Sequence, residues 1–97
     1  MDKDRIIELL KANLVTIRDR FGVQRLMLFG SIVHGTARPE SDVDILVDFK
    51  GQPDFDRFMD LKFFLEDLLK MKVDLVTRDA LRPRMRPAIE QEALNVA

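Results

Sequence analysis

The sequence predicts an α/β or α+β domain built around a small sheet, because helical and strand patterns alternate along the chain. Apolar residues recur at three- and four-residue spacing near the amino terminus and again in the middle of the chain, as in amphipathic helices. Short apolar runs between them have the length and composition of strands. We therefore expect the order α-β-(α)-β-α-β-α, in one domain spanning residues 1–97.

The first half of the chain begins with a helix predicted at residues 3–20, and Gly22 follows where helices commonly end. The apolar face of this helix consists of Ile6, Ile7, Leu10, Leu14, Ile17 and Phe21. A strand is predicted at residues 24–29, and Gly30-Ser31 then begins a short helix or turn that ends before Pro39. A second strand, at residues 42–49, places Val43, Ile45 and Val47 on one face.

The second half begins with a loop at residues 51–53, followed by an amphipathic helix at residues 54–70. Its apolar stripe is Phe55, Phe58, Leu61, Leu65 and Leu68. We interpret Phe55, Phe58, Phe63 and Phe64 as core rather than as a base-stacking platform, with some of Met59, Phe63 and Phe64 suited to a protein interface. A third strand is predicted at residues 73–77. The last helix is expected to carry Met85, Ile89 and Leu94, and two prolines, Pro83 and Pro87, limit where it begins.

Composition excludes several classes of function. The chain has 97 residues, 46% of them hydrophobic, and no Cys, so disulfides, thiolate metal sites and a cysteine nucleophile are excluded. A net charge of −1 argues against direct nucleic-acid binding. No apolar run approaches the ~20 residues of a membrane span, and the amino terminus is patterned as a helix rather than a signal peptide. We therefore expect a cytoplasmic protein without membrane contact.

The most informative residues are Gly30-Ser31 and, ten residues later, Asp42 and Asp44. Strand side chains alternate between faces, so the two aspartates project to the same side and repel each other unless a cation lies between them. Asp74 lies in a later apolar run and can join them from a neighbouring strand. Mg²⁺ is the simplest candidate, because it takes oxygen ligands and brings bound phosphates with it. Gly30 permits close approach of a phosphate, and Ser31 offers a hydroxyl and an N–H at a helix start.

Alternative readings of these residues are weaker. Gly30 and Gly35 have the spacing of a P-loop, but Thr36-Ala37 follow where Lys and Ser or Thr are needed. No G-x-G-x-x-G occurs, so a dinucleotide fold has no support. The Ser-Asp-x-Asp tetrapeptide alone is more often a turn cap than a metal site. The Gly-Ser pair and the third aspartate, which is costly if buried without a partner, favour a metal–nucleotide site.

Five further polar residues are left with open roles. His34 is the sole histidine, and in a short turn we expect it at the surface or in a cap rather than in catalysis. A basic cluster near the carboxy terminus is interpreted equally as a solvated face or as a site for phosphate or partner recognition, since Arg serves both. Its members are Arg78, Arg82, Arg84 and Arg86.

The pattern Gly30-Ser31-x10-Asp42-x-Asp44, with Asp74 downstream, resembles the signature of the polymerase-β-like nucleotidyltransferases. The short length and the segment VDLVTRDALRPRMRPAIEQEAL are similar to those of the minimal (MNT-type) members, which are antitoxins of HEPN/MNT toxin–antitoxin pairs. The resemblance implies a mixed sheet flanked by helices. It also implies ATP with Mg²⁺, and transfer of a nucleoside monophosphate with release of pyrophosphate. Asp42, Asp44 and Asp74 are then the catalytic and metal-binding residues.

Many relatives carry Arg in the turn after Gly-Ser, whereas this chain has Ile32-Val33-His34. We therefore assign nucleotide contacts to Gly30, Ser31, Asp42, Asp44 and Arg38, with the carboxy-terminal arginines as an alternative source of triphosphate contacts. The resemblance further implies a HEPN-type ribonuclease toxin as partner, with AMP transferred to one of its tyrosines. This chain has no Tyr, so a tyrosine acceptor must come from the partner.

The expected function is thus a Mg²⁺-dependent adenylyltransferase that acts as an antitoxin by AMPylation of its toxin. The second hypothesis is an antitoxin that neutralises by binding alone, with weak or no transfer, and the altered turn favours it. A transferase acting on a small molecule or an RNA end is disfavoured by the short chain and near-neutral charge. A kinase is the weakest hypothesis, because no kinase glycine loop or catalytic loop is present.

Overall fold

The computed structural model describes residues 2–35 and 42–96. The helices are α1 (Lys3–Ala12), α2 (Leu14–Phe21), α3 (Ser31–His34), α4 (Phe55–Leu69) and α5 (Arg86–Glu92). The strands are β1 (Val23–Phe29), β2 (Val43–Phe49), β3 (Val73–Thr77) and β4 (Leu94–Asn95), and a 3₁₀ turn at Arg78–Ala80 follows β3. Within the described ranges, no helix is long and apolar enough to cross a membrane.

The strands form one mixed sheet in the order β3-β2-β1-β4. β2 runs parallel to β3, whereas β1 is antiparallel to both of its neighbours, β2 and β4. Helices flank the sheet, so the predicted fold class is confirmed. The predicted strands match the structure to within one residue at each end, and the short carboxy-terminal strand β4 is an addition that the sequence did not predict.

The main core lies between one face of the sheet and the helices α1, α2 and α4. Val43, Ile45 and Val47 of β2 all point into it, as predicted from their alternation. The helices contribute fully buried residues at helical spacing, namely Ile6, Leu10, Ile17, Leu61, Leu65 and Leu69. Residues of β2 with the opposite parity therefore face the other side of the sheet, and that side carries the aspartates discussed below.

The first predicted helix is interrupted in the structure. Asn13 separates α1 from α2, and its backbone leaves the helical conformation at φ −111° and ψ 14°. Its side-chain amide donates to the carbonyl oxygen of Leu9 at 2.9 Å, a local bond that competes with helix continuation. Gly22 ends α2 in the left-handed conformation, φ 68°, as predicted.

Two predictions about apolar residues are wrong. In the predicted stripe of α4, Leu61 and Leu65 are fully buried and Phe58 and Leu68 pack against the core, so these four are confirmed. Phe55 is the wrong member, and Leu69 is fully buried in addition. Phe55 is 74% exposed and Phe63 is 56% exposed, while Phe58 and Phe64 pack against the core. The last helix ends at Glu92, so Leu94 belongs to β4 instead. Met85 caps α5, and Pro87 occupies its first turn, where the missing N–H costs nothing.

The corrected stripe gives a testable difference between two α4 residues. Leu65 is fully buried, so Leu65→Ala should lower the free energy of unfolding by about 2–5 kcal/mol through lost burial and a residual cavity. Phe55→Ala should change it by less than about 0.5 kcal/mol, because the ring lies in solvent. Denaturant melts of both variants provide the measurement. Equal destabilisation would contradict the burial assigned to this helix.

Candidate active site

The turn at Gly30 joins β1 to α3 and lies directly beside β2. Phe29, the last residue of β1, is paired with Asp44 of β2, so Gly30 follows immediately along that ladder. Gly30 has φ 77° and ψ −150°, a combination that essentially only glycine adopts. A Cβ atom on Gly30 would overlap Oδ2 of Asp44 and lie 2.9 Å from its Cγ. Glycine is therefore required by its own backbone and by the neighbouring carboxylate.

α3 is a single helical turn that continues from Gly30. The backbone N–H groups of Val33 and His34 donate to the carbonyl oxygen of Gly30 at 3.1 and 3.2 Å. Ile32 is buried in the main core and Ser31 is half-buried. The predicted short helix after the Gly-Ser pair is confirmed, and it keeps Ser31 close to the end of β1.

Asp44 and Asp74 are direct neighbours on the parallel strands β2 and β3, where they are paired in register. Both alternate along their strands with core residues, so their side chains lie on the face of the sheet opposite the main core. Asp44 is half-buried, while Asp74 and Asp42 are exposed, with Asp42 one residue before the start of β2. The structure therefore brings Gly30, Asp44 and Asp74 together as predicted, and it leaves the carboxylate of Asp74 accessible to a second molecule.

The electrostatics of this pair are unfavourable in the absence of a cation. Burial raises the pKa of Asp44 from 3.8 to about 6, and the charge of Asp74, a hydrogen bond to Asp74 and the charge of Asp42 act in the same direction. When protonated, the Asp44 carboxyl donates that hydrogen bond to its neighbour. The charges of Asp42 and Asp74 therefore both act on the Asp44 carboxylate. A bound cation would offset this repulsion, as protonation of Asp44 does in its absence.

The three carboxylates fit Mg²⁺ in chemistry, although not yet in arrangement. Within residues 2–35 and 42–96, no group of three or more His, Cys, Asp or Glu side chains is placed to hold a metal ion. The raised pKa of Asp44 comes first from burial and then from the neighbouring Asp74 and Asp42, and a cation would offset this repulsion. The donors are all carboxylate oxygens, the ligands that Mg²⁺ prefers.

Among the carboxy-terminal arginines proposed for the triphosphate, Arg78 and Arg86 contact groups other than these three carboxylates. Arg38 lies outside the described residues. Arg78 pairs with Glu90 and, at 3.8 Å, with Asp48. It follows Asp74 by four nearly extended residues, which separates the two by about 13 Å.

The other members of the basic cluster also point elsewhere or into solvent. Arg86 donates to the backbone carbonyl oxygens of Leu81 at 3.3 Å and Asp79 at 3.4 Å. Arg82 and Arg84 are exposed. The cluster therefore divides into two arginines with structural contacts and two on a solvated face, which stay available to a partner.

His34 is exposed, as predicted, and it has a partner that the sequence did not indicate. Its Nε2 lies 3.0 Å from Oε2 of Glu92, the last residue of α5. The two residues are 58 positions apart, so no local spacing could have identified the pair. Prediction of this contact would have required prediction of strand β4, because its pairing with β1 places Glu92 at the end of the sheet where α3 begins.

Comparison with known proteins agrees with this geometry. The family model described as "Nucleotidyltransferase domain" matches residues 11–96. The protein adenylyltransferase MntA of Thermococcus cleftensis is 40% identical over 93 residues, which cover 96% of this chain and 94% of that relative. A solved structure described as a minimal nucleotidyltransferase superposes with a TM-score of 0.82 at 34% identity, covering 97% of this chain and 95% of its own.

A second solved structure adds the context of a complex. It is a toxin–antitoxin complex with AMP-PNP, one chain of which superposes with a TM-score of 0.70 at 26% identity, covering 100% of this chain and 73% of its own. The family model, the sequence relative and the solved structure thus agree over nearly the whole chain. This chain therefore belongs to the nucleotidyltransferase family and is one of its minimal members.

Proposed function

We propose that this chain transfers AMP from ATP to a hydroxyl of a partner protein, a HEPN-type toxin, and thereby acts as its antitoxin in the cytoplasm. The observation that carries the proposal is the in-register pair Asp44 and Asp74 beside the glycine turn. The 40% identity to a protein adenylyltransferase supports protein as the acceptor. The toxin–antitoxin complex with AMP-PNP supports both the nucleotide and the kind of partner.

The chemistry assigned to each residue follows from its position. The acceptor hydroxyl oxygen attacks the α-phosphorus, and a P–O bond forms while the bond from that phosphorus to the oxygen bridging the β-phosphate breaks, releasing pyrophosphate. Asp74, exposed beside Asp44, accepts the hydroxyl proton. Gly30 and Ser31 orient the triphosphate against the backbone. Mg²⁺, which Asp42, Asp44 and Asp74 would hold, supplies neutralisation of the phosphate charge.

The acceptor residue lies on the partner in this proposal. The chain contains no Tyr, so it cannot modify itself on tyrosine. Asp74 is exposed on the sheet face opposite the main core, and an incoming side chain can therefore reach it from solvent. A partner surface completes the cleft and supplies the tyrosine hydroxyl.

The second candidate is an antitoxin that neutralises by covering its toxin without transfer. It is favoured by the Ile32-Val33-His34 turn, in which Ile32 is buried and His34 is paired with Glu92, so neither takes the place of an arginine on phosphate. Against it stands the cost of keeping Asp44 beside Asp74, because a pure binding surface has no need of repelling carboxylates.

The test uses ATP labelled at either the α- or the γ-phosphate, with Mg²⁺ and the product of the neighbouring reading frame. We expect label on the partner from α-labelled ATP alone, and no label on the antitoxin chain itself. Asp42→Ala combined with Asp44→Ala should lower transfer by at least about 100-fold, because the charge stabilisation of the transition state is lost. Chelation of Mg²⁺ should have the same effect, and Tyr→Phe variants of the partner identify the acceptor.

The alternative functions predict different outcomes. Transfer of the γ-label would show a kinase, and label on a nucleotide-sized product would show a small-molecule acceptor. A stable complex that restrains the toxin without any label would establish the binding-only antitoxin. Complex formation by the double aspartate variant is the matched control, since both candidate functions predict that it still binds.

A further inference from the structure

The turn that would receive the nucleotide is carried by an element with little stability of its own. α3 has four residues, too few to be stable without external support. Its buried side chain, Ile32, fixes one side against the main core. The opposite end of α3 leads into Gly35, which has φ 74°, and among the described residues no atom lies within 4 Å of the position of a Cβ there. A contact that holds this end of α3 would therefore fix the orientation of the Gly30 turn.

The carboxy-terminal segment, residues 86–96, supplies such a contact. α5 itself has no buried residue. The segment is anchored beyond α5, by the Val96 side chain in the main core, by the pairing of Leu94 with Leu28 in β4, and by the Val96 N–H, which donates to the carbonyl oxygen of Leu26 at 2.9 Å. This pairing carries Glu92 to the end of β1 from which α3 begins.

Glu92 meets α3 at His34. The His34 Nε2 and Glu92 Oε2 atoms are 3.0 Å apart, and both side chains are half-exposed, at 49% and 55%. A contact of this length holds the imidazole ring and the carboxylate in one geometry, and it links two parts of the chain that are 58 residues apart in sequence. It joins the carboxy-terminal segment to the last residue of α3.

We propose that His34 and Glu92 are positioning residues, through which the carboxy-terminal segment holds α3 and the Gly30-Ser31 turn in the orientation that receives the triphosphate. The proposal rests on the proposed function, because that function supplies the nucleotide. Neither residue touches the reacting atoms. Loss of the pair should weaken nucleotide binding and leave the chemical step unchanged, since Asp44 and Asp74 are fixed independently by the pairing of β2 with β3.

The test compares AMP-PNP affinity and backbone protection in the full chain. Glu92→Gln keeps the size of the side chain and replaces the carboxylate that contacts the His34 ring by an amide, and we expect about fivefold weaker binding of AMP-PNP, the upper range for an exposed pair of polar side chains. Hydrogen exchange of the Val33 and His34 amides should quicken, because their bonds to Gly30 depend on a fixed α3. With partner and ATP, KM for ATP should rise by the same factor while kcat stays unchanged.

Two further variants keep the result interpretable. His34→Glu combined with Glu92→Lys places an ion pair at the same two positions and should recover affinity and protection. Asp67→Asn breaks an exposed ion pair with Lys70 on α4, of 3.3 Å, and should change neither. The positioning role alone would be overturned by unchanged AMP-PNP affinity in Glu92→Gln. It would also be overturned if the double variant recovered neither affinity nor amide protection. Failure of the unmodified chain to bind AMP-PNP would overturn the proposed function as well, so the two failures are distinguishable.

Discussion

Replacing Gly30 by alanine is expected to abolish AMP transfer and to destabilise the protein. The Cβ atom would overlap Oδ2 of Asp44, and the backbone conformation at φ 77° and ψ −150° costs a residue with a side chain about 1–3 kcal/mol. Overpacking adds a similar amount, so the total loss is about 2–5 kcal/mol. Either the turn or the Asp44 carboxylate must move, and both movements misplace the nucleotide relative to Asp74.

Gly51→Ala is the matched control for this substitution. Gly51 also has positive φ, 74°, but no atom of residues 2–35 and 42–96 lies within 4 Å of the position of its Cβ. It should lose only about 1 kcal/mol, from the left-handed backbone, and keep its transferase activity. Thermal melts with the labelled-ATP assay separate the two effects. A Gly30→Ala protein that transfers AMP at the rate of Gly51→Ala would contradict the close approach of Gly30 to Asp44.

Asp44→Asn should remove activity while raising the stability of the metal-free protein. The folded state raises the pKa of Asp44 from 3.8 to about 6, so above pH 6 the ionised carboxylate is held at a cost. That cost is at most about 3 kcal/mol, and solvent screening of a partly exposed group reduces it to about 1 kcal/mol. Removing the charge should therefore raise Tm by about 4–8 °C in chelator at pH 7, while transfer falls by at least about 100-fold.

The difference in Tm between Asp44→Asn and the wild type should depend on pH. Below pH 4 Asp44 is protonated in both folded and unfolded states, so the wild type keeps its full stability and the variant has no advantage. As pH rises through 6 the wild type loses stability, and the difference in Tm should grow and then level off. Asp48→Asn is the control on the same strand, because Asp48 pairs with Arg78 rather than with a carboxylate. A lower Tm for Asp44→Asn at pH 7 would identify Asp44 as a structural cap.

Local patterns predicted the parts of the site that depend on adjacent residues. The two-residue alternation of Val43, Ile45 and Val47 places Asp44 on the opposite face without any knowledge of the fold. The apolar run around Asp74 likewise predicted β3 with both of its ends. Which strand lies beside which does not follow from the alternation, so the direct pairing of Asp44 with Asp74 required the structure.

The errors arise where tertiary contacts decide between similar local patterns. α1 and α2 bury their apolar residues in the same core, so the periodicity continues past Asn13 although the helix does not. Phe55 and Leu69 differ by a small rotation around α4, and packing against the sheet selects Leu69. Leu94 fits a helical spacing as well as a strand, and only its pairing with Leu28 resolves the choice.

The parallel pairing of β2 with β3 also ties catalytic competence to the alignment of the sheet. A slip of β3 by one residue would turn Asp74 into the helical core and expose Val73 and Leu75 to water. A misaligned molecule would therefore be both unstable and inactive. The active fraction of a preparation would then equal the fraction of molecules in which β2 and β3 have the native register.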